Sequence, residues 1–337
     1  MAWLENWLSG RVQGVVKNRN SSDWRSVTSG LPPGSILGPM LFAIYINDLE
    51  DNFEDIVTIM KKFADDTKLA QEVKTEADRT ILQTCLDQLW TWSTKWGMSF
   101  NTGKCHVLHL GQNNPLFEYS LGDSKLARVE EEKDIGVLIN GNLKPGRQCE
   151  KVAQTANRVL SQVLEAFMYR DKEILPKIYK SYVRPHVEFA VPAWNPWSRG
   201  DVEVLENVQK RLVKQIQGLK GASYEDRLTE LGMESLEERK AKIDIVQTFK
   251  IIHRHENVQR STWFELLDAE RQHRTRLAQG GLSLVAKRAR LDLRQNFFSH
   301  KTVNMWNKLS PEQRSYSSVA SFKHRIKKCH ITVAPAE

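Results

Sequence analysis

The sequence predicts an α+β protein: a mixed α/β region built on antiparallel hairpins, followed by a helical region. Three observations predict it. Up to about residue 144, short apolar runs alternate with turn formers, as strands and hairpins require. Beyond Pro145, apolar residues recur every three or four positions, the period of a helix face. The 337 residues are 40% hydrophobic and 27% charged, which suits one large or two medium globular domains and not a disordered tail.

Val12, Val15-Val16 and Val27 alternate around Asn18-Arg19-Asn20-Ser21-Ser22, a hairpin turn. Ser29-Gly30-Leu31-Pro32-Pro33-Gly34-Ser35 follows as a rigid turn. A helix then starts near Ser35, a capping residue type, with Pro39 in its first turn. Leu37, Met40, Leu41, Ile44 and Tyr45 leave it few polar positions, so it is expected to be buried. Residues 56–70 read as strand, turn, strand. Ile56, Val57, Ile59 and Met60 precede the turn, Ala64-Asp65-Asp66 form it, and Leu69 and Ala70 follow. Ile81, Cys85, Leu89, Trp92 and Trp96 predict a long helix, closed by the turn Asn101-Thr102-Gly103-Lys104. Short strands are expected over 105–110, 116–120, 126–130 and 135–139, with Asn140-Gly141-Asn142 closing the region.

The helical part shows four faces. Val152, Ala156, Val159, Val163 and Phe167 mark the first, and Ile174, Ile178, Tyr182 and Val183 the second. Leu205, Val208, Leu212 and Ile216 mark the third, and a heavily charged helix is expected over 236–255. No internal repeat or low-complexity tract interrupts this order.

Net charge is +8 and uneven. Residues 271–330 hold 14 Lys and Arg against Asp292 and Glu312, a local net of +12 that leaves −4 for the rest. Such a block attracts polyanions, nucleic acid first among them; charge alone gives equal weight to a solvated basic face. No apolar run reaches about 18 residues, so no membrane span is expected. Met1 to Trp7 lacks the basic start of a secretory signal, and Cys85, Cys105, Cys149 and Cys329 are scattered. Both features fit reduced thiols in an intracellular protein.

Phe63-Ala64-Asp65-Asp66 is the sharpest local signal. Adjacent carboxylates at a hairpin tip repel unless a cation joins them. Hard oxygen ligands suit Mg²⁺, and a pair of such ions can activate a 3′-hydroxyl and stabilise a leaving pyrophosphate. An isolated Asp-Asp is more often a solvated turn. Cys105-His106 with His109 lacks the second pair that zinc needs, so these side chains read as strand alternation. Trp92 and Trp96 read as core before they read as a stacking surface.

In context the chain resembles the reverse transcriptases of non-LTR, LINE-type retrotransposons, in particular their jockey and CR1 groups. Gly30-Leu31-Pro32-Pro33-Gly34-Ser35-Ile36-Leu37-Gly38-Pro39, with Leu41-Phe42 and Tyr45-Ile46-Asn47-Asp48-Leu49, is similar to that family's template-contacting turn and helix. Phe63-Ala64-Asp65-Asp66-Thr67 resembles its metal motif, and Phe100-Asn101 with Lys104-Cys105 the motif after it. Lys133-Asp134-Ile135-Gly136-Val137 resembles the primer-contacting hairpin. Tyr179, Val183-Arg184-Pro185, Glu188, Trp194-Asn195-Pro196, Leu205-Glu206 and Gln209-Lys210 resemble the thumb side. Trp306-Asn307-Lys308-Leu309 and Phe322-Lys323 resemble its C-terminal signature.

The resemblance implies a partial polymerase palm over 1–144, a helical thumb-like region over 145–258 and a basic C-terminal region over 259–337. Asp65 and Asp66 would be catalytic and hold Mg²⁺, and Lys104 would lie near the triphosphate. Gly34 and Ser35 would face template and incoming nucleotide. Ile135, Gly136 and Val137 would contact the primer, and the partners would be an RNA template and a DNA primer. Two departures stand against activity. Family members carry another aspartate on an earlier strand, upstream of the segment resembled by Trp3 to Arg11, and Asp23 in its Ser-Ser-Asp-Trp turn is no replacement. Pro33 stands where the family has Gln, and it removes a backbone N–H. The expectation is therefore a polymerase portion inactive as given. The alternatives are a non-catalytic nucleic-acid-binding remnant or a vestigial protein-interaction fragment.

Overall fold

The computed structural model describes residues 2–32, 34–50, 59–267 and 281–327. The chain divides into two compact units, Met1–Val129 and Glu130–Glu337. The division falls just ahead of the hairpin at 131–140, which packs on the helix after it. The architecture is α+β, with small strand pairs and a helical second unit.

The first unit opens with α1 (Ala2–Leu8) and two nested antiparallel pairs. β1 (Val12–Gln13) pairs with β4 (Arg25–Ser26), and β2 (Val16–Lys17) with β3 (Asn20–Ser21). Asn18 and Arg19 both take positive φ, 51° and 69°, the geometry that lets two strands meet across a two-residue turn. α2 (Leu37–Tyr45) has Ile36 and not Ser35 at its N-cap position, but Ser35 Oγ, one residue earlier, accepts the Gly38 N–H at 3.0 Å and so serves the first turn. Its expected burial is overturned: Ile36, Met40, Ile44 and Tyr45 are exposed and only Gly38 of the helix is buried. Apolar residues surround this helix, and only Phe42 joins the core beneath it.

β5 (Ile59–Phe63) and β6 (Asp66–Ala70) form the expected hairpin; Ile56 and Val57 lie outside the described residues. α3 (Glu76–Trp96) carries a reciprocal cap between Thr75 and Asp78 and stops at Gly97, φ 66°, earlier than the 101–104 turn. Its Cys85, Leu89 and Trp92 make a core with Ile46 and Leu49, against which Phe42, Met60, Leu69 and Phe100 pack. β7 (His106–Leu108) pairs in parallel with β10 (Ala127–Val129). The expected strand over 116–120 is replaced by a tight hairpin of β8 (Ser120–Leu121) and β9 (Ser124–Lys125). Gly122 makes that turn at φ 57°, where a Cβ would collide with the Trp90 ring.

The second unit starts with β11 (Glu131–Asp134) and β12 (Val137–Asn140), joined by Ile135 and Gly136 at φ 44° and 88°. Gln148, buried on α4 (Gly146–Ala166), accepts the Leu138 N–H at 2.8 Å and ties the hairpin to that helix. α4 packs on α8 (Arg199–Lys214). The expected second helix is α5 (Ile174–Ile178), a π-helical turn over Tyr179–Val183, and α6 (Arg184–Glu188). α7 (Val191–Trp194) and α9 (Tyr224–Glu230) follow their neighbours into one core with Ala156, Leu160, Tyr179 and Leu212. The charged helix α10 (Leu236–Ile252) links that core to a second one. The second core gathers α11 (Arg260–Trp263), α13 (Phe298–Asn307) and α15 (Val319–Lys327) around Phe249, Trp306 and Phe322, with the short helices α12 (Asp292–Gln295) and α14 (Pro311–Arg314) on either side of α13 in the chain.

Candidate active site and nucleic-acid interface

The β5–β6 register pairs Phe63 directly with Asp66, leaving Ala64 and Asp65 as the whole loop. Ala64 sits at φ 51°, a conformation that an L side chain rarely adopts and that tends to collect at functional sites. Met60, Lys62, Thr67 and Leu69 turn inward, while Asp65 and Asp66 stay exposed at the tip. Lys62 anchors the hairpin one pair below its tip. Its Nζ donates to Ile46 O at 2.9 Å and Asn47 O at 3.4 Å and lies 3.6 Å from Glu50. Met60 and Leu69 from this hairpin, Phe42 from α2 and Phe100 before Lys104 rest on one core, so the template-turn helix, the metal-motif hairpin and the Lys104 turn share a foundation.

Gly34 has φ 75° and open space where a Cβ would stand, so the glycine is there for its backbone and leaves the surface clear. Ser35 is committed to the first turn of α2. Lys104 ends a 3-10 turn over Thr102–Lys104 with its side chain exposed. Pro33 lies outside the described residues. Asp48, the acidic residue of the template-helix motif, accepts the Trp92 indole N–H at 3.1 Å. The Cys105–His109 segment is a strand only over 106–108 and does not alternate: His106 is exposed, while Val107, Leu108 and His109 are all half-buried. The Cys105 thiol donates to Asn101 O at 3.3 Å, and His109 Nδ1 pairs with Asn114 Oδ1 at 3.0 Å. Among the described residues, no three His, Cys, Asp or Glu side chains come together as a metal cluster.

Ile135 and Gly136 form an exposed tip, and Val137 is buried in the unit's main core. A Cβ on Gly136 would come within 3.0 Å of the Phe189 ring, so this turn is pressed against the end of α6. Phe189 is fixed in turn, because Trp194 donates its indole N–H to Phe189 O at 2.8 Å.

The thumb-side motif residues meet α10 in a buried polar network. Glu188 takes Arg239 at 2.5 and 3.0 Å, and Glu206 accepts the backbone N–H groups of Leu236 and Glu237 and the Tyr224 hydroxyl. A carboxylate at a helix N-terminus is favoured by the dipole and by the orphan N–H groups there. Gln209 donates to Tyr224 and to Glu234 O, each at 2.9 Å, and Asn195 donates to Asp244 at 2.6 Å. Lys240 lies over the Trp194 ring, 4.8 Å from its centroid, and burial pushes its pKa down to about 8. In the C-terminal signature, Asn307 pairs with both backbone groups of Leu284, and Phe322 stacks on Phe249 at 4.1 Å. These motif residues hold the helices in place.

A family model described as reverse transcriptase (RNA-dependent DNA polymerase) matches residues 1–174, just over half of the chain and the whole of the hairpin site. The chain belongs to the reverse transcriptase family. It is 24% identical over 227 residues to the RNA-directed DNA polymerase from mobile element jockey of Drosophila funebris, a match covering 64% of this chain and 25% of that protein. The jockey polymerase of Drosophila melanogaster is 22% identical with the same coverage. The probable RNA-directed DNA polymerase from transposon X-element of that species is 22% identical over 225 residues, covering 64% of this chain and 24% of its own. This likeness is that of a non-LTR retrotransposon reverse transcriptase, and the chain spans about a quarter of the length of these relatives. No solved structure matches. Reverse transcriptases in general are metal-dependent and bind nucleic acid. No helix among the described residues is long and apolar enough to cross a membrane.

Proposed function

We propose that the chain is the palm and thumb portion of an RNA-directed DNA polymerase, with residues 1–144 as partial palm, 145–258 as thumb-like region and 259–337 as basic C-terminal region. Asp65 is the chief ligand for a divalent cation and Asp66 its neighbour. Gly34 and Ser35 face template and incoming nucleotide, Lys104 lies near the triphosphate, and Ile135, Gly136 and Val137 contact the primer. Residues 271–330 add charge that holds the nucleic-acid backbone; 271–280 and 328–330 of them lie outside the described residues. The observation that carries this reading is the exposed Asp65–Asp66 pair at a strained hairpin tip inside the segment that the reverse transcriptase family matches.

Two adjacent carboxylates fit Mg²⁺ in kind, since hard oxygens are its preferred donors. Bound there, the ion would supply stabilisation of charge developing on the phosphates. The chain's own part is to hold both carboxylates at a fixed tip, keep Gly34 clear for a close approach, and place the Lys104 cation. Two carboxylates are only part of a two-ion site, and Asp48 is engaged by Trp92. We infer that the 337-residue chain by itself binds primer and template without extending the primer.

Binding of a labelled primer–template, followed by fluorescence anisotropy, tests the nucleic-acid half of this reading. Affinity is expected to fall steeply as salt rises, because counterions are released on contact, and Asp65→Ala is expected to leave it nearly unchanged. Absent or salt-independent binding would overturn it.

A further inference from the structure

The basic C-terminal segment spends part of its charge inside the fold. Arg314 is buried and donates to Ser283 Oγ at 2.5 Å, and Lys301 reaches the buried Asp244 at 2.9 Å, while Lys287 is paired with Glu265 at 3.0 Å on the surface. The surface it leaves is organised around one ring. Phe297, 44% exposed, lies parallel to Trp263, with centroids 6.2 Å and planes 6° apart. Arg294, three residues earlier, holds its guanidinium 5.3 Å from the Phe297 centroid. Gln295 donates to Ala289 O at 3.0 Å, which ties the stretch carrying the exposed Arg288 and Arg290 to α12. His300 joins the same neighbourhood: burial, and then the charge of Arg294, hold its pKa below the ordinary histidine range.

A stacked aromatic pair with an arginine against it and further cations alongside is the equipment that single-stranded nucleic acid uses. Unpaired bases stack on rings and guanidinium planes while the backbone follows positive charge. A duplex keeps its bases inside and offers such a surface only phosphates. A surface packing pair would need neither the half-exposed ring nor the flanking cations.

We propose that Trp263, Phe297 and Arg294 form a stacking platform for an unpaired base and that Arg288 and Arg290 hold the adjoining phosphates, so that this surface takes single-stranded RNA or DNA. The proposal rests on the nucleic-acid reading above and deepens it by naming the strand type and the residues.

The test uses the full 337-residue chain, fluorescein-labelled single strands of roughly 12 nucleotides in RNA and DNA forms, and a duplex as comparator. Phe297→Leu keeps an apolar side chain against Trp263 and removes the π face. It is expected to weaken single-strand binding by about five- to a hundredfold while leaving duplex binding and the salt slope alone. Arg294→Gln, which leaves the Trp263–Phe297 pair intact, is expected to weaken single-strand binding in the same selective way, and it decides the matter if the melting curve of Phe297→Leu shows a folding defect. The double change Arg288→Gln and Arg290→Gln is expected to flatten the salt slope by about 1.4. Selective loss with either RNA or DNA upholds the platform. Unchanged single-strand affinity, or equal loss on single strand and duplex, overturns it and leaves general nucleic-acid binding standing. A wild-type chain that binds neither overturns both.

Discussion

Trp92 donates its indole N–H to Asp48 Oδ1 at 3.1 Å, joining the template-helix motif to the middle of α3. The bond gives Asp48 a structural task on the motif next to the Asp65–Asp66 hairpin. Asp48→Asn keeps an acceptor for the indole and is predicted to leave Mg²⁺ affinity unchanged. Asp48→Ala is predicted to cost about 1–2 kcal/mol, the penalty for leaving a buried donor unpaired. Urea unfolding reads the second effect and calorimetric Mg²⁺ titration the first. Loss of Mg²⁺ binding in Asp48→Asn would make Asp48 a ligand.

Asp65 and Asp66 are predicted to bind Mg²⁺ or Mn²⁺ weakly, because two exposed carboxylates supply little of what a hard cation needs without substrate phosphates or further ligands. Calorimetry on the wild-type chain and on Asp65→Asn checks this. Sub-micromolar affinity that disappears in Asp65→Asn would show a complete site.

Lys240 makes a prediction about pH. Burial holds its folded pKa at about 8, below the value of 10.5 for an exposed lysine. The unfolded chain therefore binds more protons between those values, and this contribution to stability rises with pH from about 8 to 10.5 and is lost as pH falls through 8. Cys149, pushed up to about 12 by burial, works the other way once pH passes 9, the value for a free thiol, so the clean window is pH 7 to 9. Across it, the wild type is predicted to gain about 1 kcal/mol on Lys240→Met. The charges of Glu206, Glu188 and Asp244 oppose its deprotonation. Denaturant titrations of both chains at the two pH values measure the difference, and a flat difference would contradict the assignment.

The local part of this fold was legible and the long-range part was not. α3 was readable because Cys85, Leu89 and Trp92 repeat at helical spacing and all reach one core. The β5–β6 hairpin was readable because its apolar strands and Asp-Asp turn are neighbours in sequence. α10 read as a charged helix, yet Lys240, Lys242 and Asp244 are buried on it. Lys242 has near partners in Glu234 and Glu238, but Trp194, Asn195 and Lys301, which meet Lys240 and Asp244, lie far away in the chain, and no local pattern announces such pairs. α2 failed in the opposite sense. Its apolar composition signals burial, but composition does not say whether a neighbour covers each face. At the site, Asp65 and Asp66 stood out by residue type and turn position, whereas Gly136 was named by resemblance alone, inside a strand expected over 135–139 where the chain in fact turns. The press of Gly136 on Phe189 could not be read, because it joins residues far apart in sequence.

Primer extension tests the central claim, that the hairpin pair is a polymerase metal site which this chain cannot complete by itself. Incorporation of labelled nucleotide on a primed RNA template, with Mg²⁺ or Mn²⁺ and with Asp65→Ala as control, is the measurement. Metal stabilisation of the transition state is worth several kcal/mol, and each 1.36 kcal/mol lost slows the reaction about tenfold. The 337-residue chain is therefore predicted to bind the primed template yet incorporate no more nucleotide than Asp65→Ala. Incorporation by the wild type that Asp65→Ala abolishes would contradict the account and make this chain a working polymerase.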